Sequence, residues 1–184
     1  MDEILRDVER LREEWAQSVA SAEDVVVEPA PAQPAAGTDG TGTVHVAVDA
    51  AGVPESITLD EGWRRQVGTE RLVAAVVEAN VSAAAARVAG MMAGTPGTEI
   101  PPDLADQVRE FLATDPPFAL ATGTGTAARG NLVVTVSEVG LRSITVEPEW
   151  LARRDDAELT ESLATALTAA RAELAEALAR RDRE

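Results

Sequence analysis

Apolar residues recur along this chain with two rhythms, and each change of rhythm marks the boundary of a predicted element. Ile4, Val8, Leu11 and Trp15 follow the heptad spacing of a helix that keeps one apolar seam toward a partner. The opposite face carries Glu3, Arg6, Arg10, Glu13 and Gln17, the mixed-sign pattern of a solvated surface. Val25-Val26-Val27 reads as a short strand. Residues 28–43 are rich in Pro, Ala, Gly and Thr and read as a linker, since repeated Pro blocks a helix.

Strict alternation follows. Val44, Val46 and Val48 point one way and His45, Ala47 and Asp49 the other, which predicts a half-buried strand. Asp49-Ala50-Ala51-Gly52 supplies a turn, Ser56-Ile57-Thr58-Leu59 the returning strand, and Asp60-Glu61-Gly62-Trp63 its end. Leu72, Val76, Ala79, Ala83 and Ala86 then define a helix whose seam narrows to alanine, suited to close packing. Gly94 to Thr98 breaks it. A short helix is predicted from Pro102 or Asp103 to about Ala113, with Leu104, Val108, Phe111 and Leu112 on one face. Phe118 to Ala121 reads as a strand and Thr122 to Gly130 as a loose Gly/Thr run. Leu132, Val134 and Val136 alternate again, Gly140 turns the chain, and Ser143 to Val146 returns toward Trp150. The last helix spans about Ala157 to Arg180, with Leu159, Leu163, Leu167, Ala170 and Leu174 inward.

These elements repeat. Ser56-Ile57-Thr58-Leu59-Asp60 aligns with Ser143-Ile144-Thr145-Val146-Glu147, Trp63 with Trp150, Leu72 with Leu159 and Ala79 with Ala166. Gly42 falls opposite Gly130 and Gly52 opposite Gly140. The chain is therefore expected to be α+β, built from two helix–antiparallel strands–helix units. The first spans residues 1–93 with its linker at 28–43, the second spans 102–184, and 94–101 joins them.

The second unit is the clearer copy. Its Ala121-Thr122-Gly123-Thr124-Gly125, Gly130 to Val136, and Ser143-Ile144-Thr145-Val146-Glu147-Pro148-Glu149-Trp150-Leu151 precede an acidic stretch and an Ala/Leu-rich helix. This order resembles the YbaB/EbfC family of small nucleoid-associated proteins, in which a helix, a short antiparallel sheet and a long helix form a unit that dimerises. The resemblance implies DNA binding through projecting helices and, for a tandem copy, an intrachain pseudo-dimer. Covalent linkage would set the effective concentration of the halves at roughly millimolar.

Composition changes that picture in one respect. The net charge is −16, and every basic residue is an arginine. A surface this acidic repels phosphate polymers at long range, whereas nucleic-acid binders normally show a basic footprint. Cysteine is absent, which excludes disulfides and thiol catalysis. Aromatic residues make up 3% of the chain, so Ala, Val and Leu must build the core. The charged N-terminus does not read as a secretory signal, and no stretch is expected to approach the roughly 20 apolar residues of a membrane span.

Candidate chemistry is sparse. Arg64-Arg65 follows Trp63 and Arg153-Arg154 follows Trp150. Guanidinium forks can grip phosphate bidentately, and two such pairs would suit a two-fold ligand such as duplex DNA. Arg6 and Arg10 are further candidates, while Arg180, Arg181 and Arg183 complement the dipole of the last helix. His45 is the sole histidine and reads as structural or surface-exposed. The Gly40-Thr41-Gly42 and Gly123-Thr124-Gly125 runs lack the lysine of a phosphate-binding Walker loop. Trp63 and Trp150 read as core. No catalytic residues, cofactor or metal are expected, so the chain does not read as an enzyme. The partners expected are double-stranded DNA, by the resemblance, or a protein bound through helical faces by an acidic scaffold that has lost DNA binding. The chain reads as cytoplasmic, at the nucleoid if DNA is bound, and as a monomeric pseudo-dimer or a homodimer.

Overall fold

The computed structural model describes residues 33–93, 100–114 and 120–183. The predicted helix with Arg6 and Arg10, the Val25–Val27 strand, most of the 94–101 linker and residues 115–119 lie outside them.

Within the described residues one element order occurs twice. Strands β1 (Ala35–Thr38), β2 (Val44–Val48) and β3 (Pro54–Leu59) form an antiparallel sheet. A short helix α1 (Trp63–Gln66) and the long helix α2 (Leu72–Ala93) follow. After helix α3 (Leu104–Ala113), strands β4 (Thr122–Ala127), β5 (Leu132–Ser137) and β6 (Gly140–Val146) form a second antiparallel sheet. The short helix α4 (Pro148–Leu151) and the long helix α5 (Asp156–Arg181) complete it. The match extends to defects: both sheets carry a register shift at equivalent points, Ala47/Val48 and Thr135/Val136. The fold is thus α+β, as the patterning predicts, and each sheet has three strands.

Two stretches that read as unstructured are strands. β1 lies inside the predicted 28–43 linker, and β4 occupies most of the Gly/Thr run. In β4 Gly123, Gly125 and Ala127 face inward while Thr122, Thr124 and Thr126 face solvent. The inward glycines have a specific cause. A Cβ built on Gly125 would collide with the backbone of Ala166 and Ala170, and one on Gly123 with Ala170 and Leu174. A Cβ on Gly37 in β1 would likewise strike the backbone of Ala79, Ser82 and Ala83 in α2. Each long helix therefore lies with its backbone directly on the backbone of the first strand of its sheet. Alanine on the helix and glycine on the strand are the pair that permits this approach.

Each long helix also reaches across to the other copy. α2 packs on β1 and β2 and touches β6, and α5 packs on β4 and β5 and touches β3. One continuous apolar core results, in which Val44, Val46, Val48, Leu72 and Val76 join Leu132, Val134, Leu159, Leu163 and Leu167. The two hairpin turns meet as well, since a side chain on Gly140 would lie 3.5 Å from the Gly52 carbonyl. Among the described residues the predicted inward seams hold except at Ala86 on α2, which is exposed, and on α3, where Phe111 is 63% exposed and Leu104 and Leu112 are half-buried; the seam of Ile4, Val8, Leu11 and Trp15 lies outside those residues. α3 packs on α2 and β6, burying Val108 but leaving Phe111 outward. Trp63 and Trp150 do not end strands; each is buried in the short helix that follows one.

One helical stretch, 69–93, does have the length and hydropathy of a membrane span, contrary to the expectation that none would. Its buried residues Leu72, Val76, Ala79 and Ala83 belong to the shared core, which accounts for its apolar composition.

The turns between the first two strands differ between copies. In the first, the buried Asp39 carboxylate accepts from the backbone N–H groups of Thr41, Thr43 and Val44 at 3.2, 2.9 and 2.9 Å and from the Thr41 hydroxyl at 2.6 Å. Burial alone would raise its pKa, but these hydrogen bonds outweigh it and hold the carboxyl below the usual aspartate value. In the second copy Ala127 occupies the corresponding position, and Ala128 and Arg129 take left-handed φ values of 52° and 59°. At the far end, Glu138 accepts from both Arg181 Nη atoms at 2.8 and 2.9 Å, clasping the end of α5 to the β5–β6 turn.

Two predictions follow from this packing. Gly125→Ala should lower unfolding free energy by roughly 3 kcal/mol through forced separation of helix and strand, while Thr124→Ala on the outer face changes it by less than about 0.5 kcal/mol; urea unfolding measures both. Asp39→Asn should cost about 1–3 kcal/mol at neutral pH. Because the folded pKa is depressed, the wild-type advantage is full above the ordinary aspartate pKa and disappears as pH falls through the folded value. Paired unfolding curves at neutral and strongly acidic pH check the sign.

Candidate nucleic-acid interface at the junction of the two copies

The pairs Arg64-Arg65 and Arg153-Arg154 flank a contact between the copies, in which Arg64 bonds the segment from Leu151 to Asp156 and residues 69–71 pack on α4. They are not related by the repeat, however. With Trp63 aligned to Trp150, the counterparts of Arg64 and Arg65 are Leu151 and Ala152. The four cations are not two symmetric pairs, and the Arg65 guanidinium lies over Gly62 of its own segment.

Their environments differ sharply. Arg64 is a cross-copy staple. Its Nε donates to Asp156 Oδ1 at 2.8 Å, its Nη1 to the Leu151 carbonyl at 3.2 Å and its Nη2 to the Arg154 carbonyl at 2.7 Å. The guanidinium also stacks 4.7 Å from the Trp63 ring centre, while the Trp63 indole N–H donates to Asp156 Oδ1 at 3.0 Å. With its donors engaged in this way, Arg64 belongs to the fold. Sequence pattern alone could not separate it from Arg65, because its partners lie on the second copy.

Arg65 is exposed, and its guanidinium makes no ion pair or hydrogen bond among the described residues. Arg153 bonds the Glu149 carbonyl at 2.9 Å and its carboxylate at 3.1 Å; Arg154 reaches Glu158 at 3.3 Å and lies 5.8 Å from the Trp150 ring centre. Both pairs are exposed and contribute at most about 1 kcal/mol each. Two arginines not singled out from the sequence lie on the elements that meet here. Arg71 ends the short turn of residues 69–71 that packs on α4, and Arg129 shares a cleft with Arg154. Neither guanidinium has a partner among the described residues.

Carboxylates interleave with these cations: Glu147, Glu149, Asp155 and Glu158 flank Arg153 and Arg154 in sequence. Asp155 is committed elsewhere, accepting from the Glu158 N–H at 2.7 Å to cap α5. On the far side of the core Arg171 of α5 mirrors the stapling role of Arg64. It donates to the Pro54 carbonyl at 2.7 Å and pairs with Asp49 at 3.0 Å, again joining the copies.

The remaining candidates carry little chemistry. His45 Nε2 sits 3.0 Å from Asp60 Oδ2 on the outer face of the first sheet. Among the described residues no group of three His, Asp or Glu side chains is placed to hold a metal ion. Comparison with family models, with curated proteins and with solved structures gives no match for this chain.

The assignment of Arg64 to the fold is directly testable. Arg64→Ala should destabilise the protein by about 1–2 kcal/mol, since it removes the cation from Asp156, which keeps only the Trp63 indole, and frees the Leu151 and Arg154 carbonyls. Arg65→Ala should change stability by less than about 0.5 kcal/mol. Thermal and chemical unfolding of both variants would distinguish a stapling arginine from a surface one.

Proposed function

We propose that the two copies form an intrachain pseudo-dimer of the YbaB/EbfC kind and that this chain contacts duplex DNA at their junction, weakly and without reading sequence. The supporting observation is convergence. Arg129, Arg153 and Arg154 of the second copy line two adjoining exposed clefts, and Arg64 of the first copy bonds the Leu151 and Arg154 carbonyls beside them. The exposed pairs of Arg153 with Glu149 and Arg154 with Glu158 are weak enough to be exchanged for phosphate. Arg64 organises the site without touching the ligand. Such a protein would act in the cytoplasm, at the nucleoid, and the interleaved carboxylates keep its affinity low.

A second reading has its own support. Phe111 stands 63% exposed on α3, and Val77 is 42% exposed on α2, the helix against which α3 packs. In an acidic chain these are features of a protein-interaction or scaffold module that has lost DNA binding.

Fluorescence anisotropy of a labelled random-sequence duplex separates the two. With about three phosphate contacts, affinity should fall on the order of 40-fold between 50 and 200 mM salt. The Arg65, Arg153, Arg154→Ala triple variant should lose most binding, and Phe111→Ala should retain it. Absence of saturable binding at low salt would reject the DNA reading in favour of a protein partner.

A further inference from the structure

A cleft of about 500 Å³ opens beside Trp150, between the β4–β5 turn and the first turns of α5. Arg129, Asn131, Arg154, Glu158 and Ser162 line it. A second cleft of about 430 Å³ adjoins it, sharing Asn131, Trp150 and Arg154 and adding Arg153. Polar lining, two guanidinium groups and an amide on one concave surface are the elements of an oxyanion site.

The β4–β5 turn that carries Arg129 is unusual. Three consecutive residues, Ala128, Arg129 and Gly130, have φ of 52°, 59° and 91°, and only the third is glycine. The corresponding turn of the first copy has glycine at positions 40 and 42 and is stitched by Asp39. In the second copy the Asn131 amide donates to the Ala128 carbonyl at 2.7 Å and locks the turn from within. Left-handed conformation at non-glycine residues is held only where the surroundings impose it, and such positions concentrate at ligand sites. Here it sets Arg129 in the lining of the cleft that Arg154 also lines. The charge of Arg154 is partly offset by Glu158, whereas the Arg129 guanidinium has no carboxylate within bonding distance among the described residues.

We infer that this cleft binds a phosphate group, with Arg129 as the principal contact and Arg154, Asn131 and Ser162 completing the set. The inference deepens the proposed function, since a backbone phosphate of duplex DNA is its intended ligand, but free phosphate has the same chemistry. Glu158 and Glu161 limit affinity and make occupancy sensitive to ionic strength.

The full chain, labelled for NMR, would be titrated with inorganic phosphate and, separately, with chloride at matched ionic strength, following the Trp150 indole and Asn131 amide signals. The same protein would then be titrated with a random-sequence duplex. Saturating shifts specific to phosphate, weakened about tenfold in Arg129→Gln and partly restored in Arg129→Lys, are expected. For the duplex, Arg129→Gln should also reduce the salt slope by about 0.9, the value of one phosphate contact. Unchanged melting temperature confirms that the variant is folded. Shifts absent in wild type, or undiminished in Arg129→Gln, would overturn the site. Duplex binding that keeps its full salt slope in Arg129→Gln would remove the cleft from the DNA contact while leaving DNA binding in place. Phosphate binding without duplex binding would keep the cleft and reject the proposed function.

Discussion

A helix backbone lying directly on a strand backbone is the contact from which the rest of this structure follows. Gly37 in one copy and Gly125 in the other leave no side chain between strand and helix, and Ala79, Ala83, Ala166 and Ala170 complete the approach. Such contact gives dense packing from small residues, which suits a chain with only 3% aromatic residues. It also fixes where each long helix begins and ends relative to its sheet. From that placement α2 reaches β6 and α5 reaches β3, and the two copies share one core.

Arginine then performs a second structural task. Arg64, Arg87, Arg142 and Arg171 all donate to backbone carbonyls, and Arg64 and Arg171 do so between copies. A planar guanidinium can satisfy several acceptors at once in a way an ammonium group cannot, which gives a physical role to an all-arginine complement. The functional consequence is subtraction. Cations that bond carbonyls are less available to a ligand, whereas Arg65, Arg71 and Arg129 make no such bond among the described residues.

Much of the fold was legible in the sequence, because it rests on periodicity. The Val44–Val48 and Leu132–Val136 alternations, the inward seam of α5 and the alignment of Trp63 with Trp150 all depend on local pattern and appear in the structure. β1 and β4 are not legible in the sequence because glycine reads as flexibility. In Thr122 to Ala127 the period of two was present, with Gly inward and Thr outward, but its meaning depends on a helix that arrives some forty residues later (roughly 1.5 Å of rise per residue brings Ala166 and Ala170 over the same strand). Phe111 failed as a core residue for a related reason: an amphipathic pattern shows that a face is apolar, not that something covers it. The arginine pairs were visible as candidates, yet their division into staple and surface residues required the Leu151 and Arg154 carbonyls, which no spacing rule places beside Arg64. Arg129 gave no sequence signal at all, since its prominence comes from backbone conformation.

Native-state hydrogen exchange tests most directly whether the two copies are one cooperative structure. Protected amides of β2 and β5 should share a single opening free energy and the same denaturant dependence, equal to those of global unfolding. If one sheet instead opens at a distinctly lower free energy while the other stays protected, the copies fold as separate units, and the shared core and its arginine staples do not govern stability.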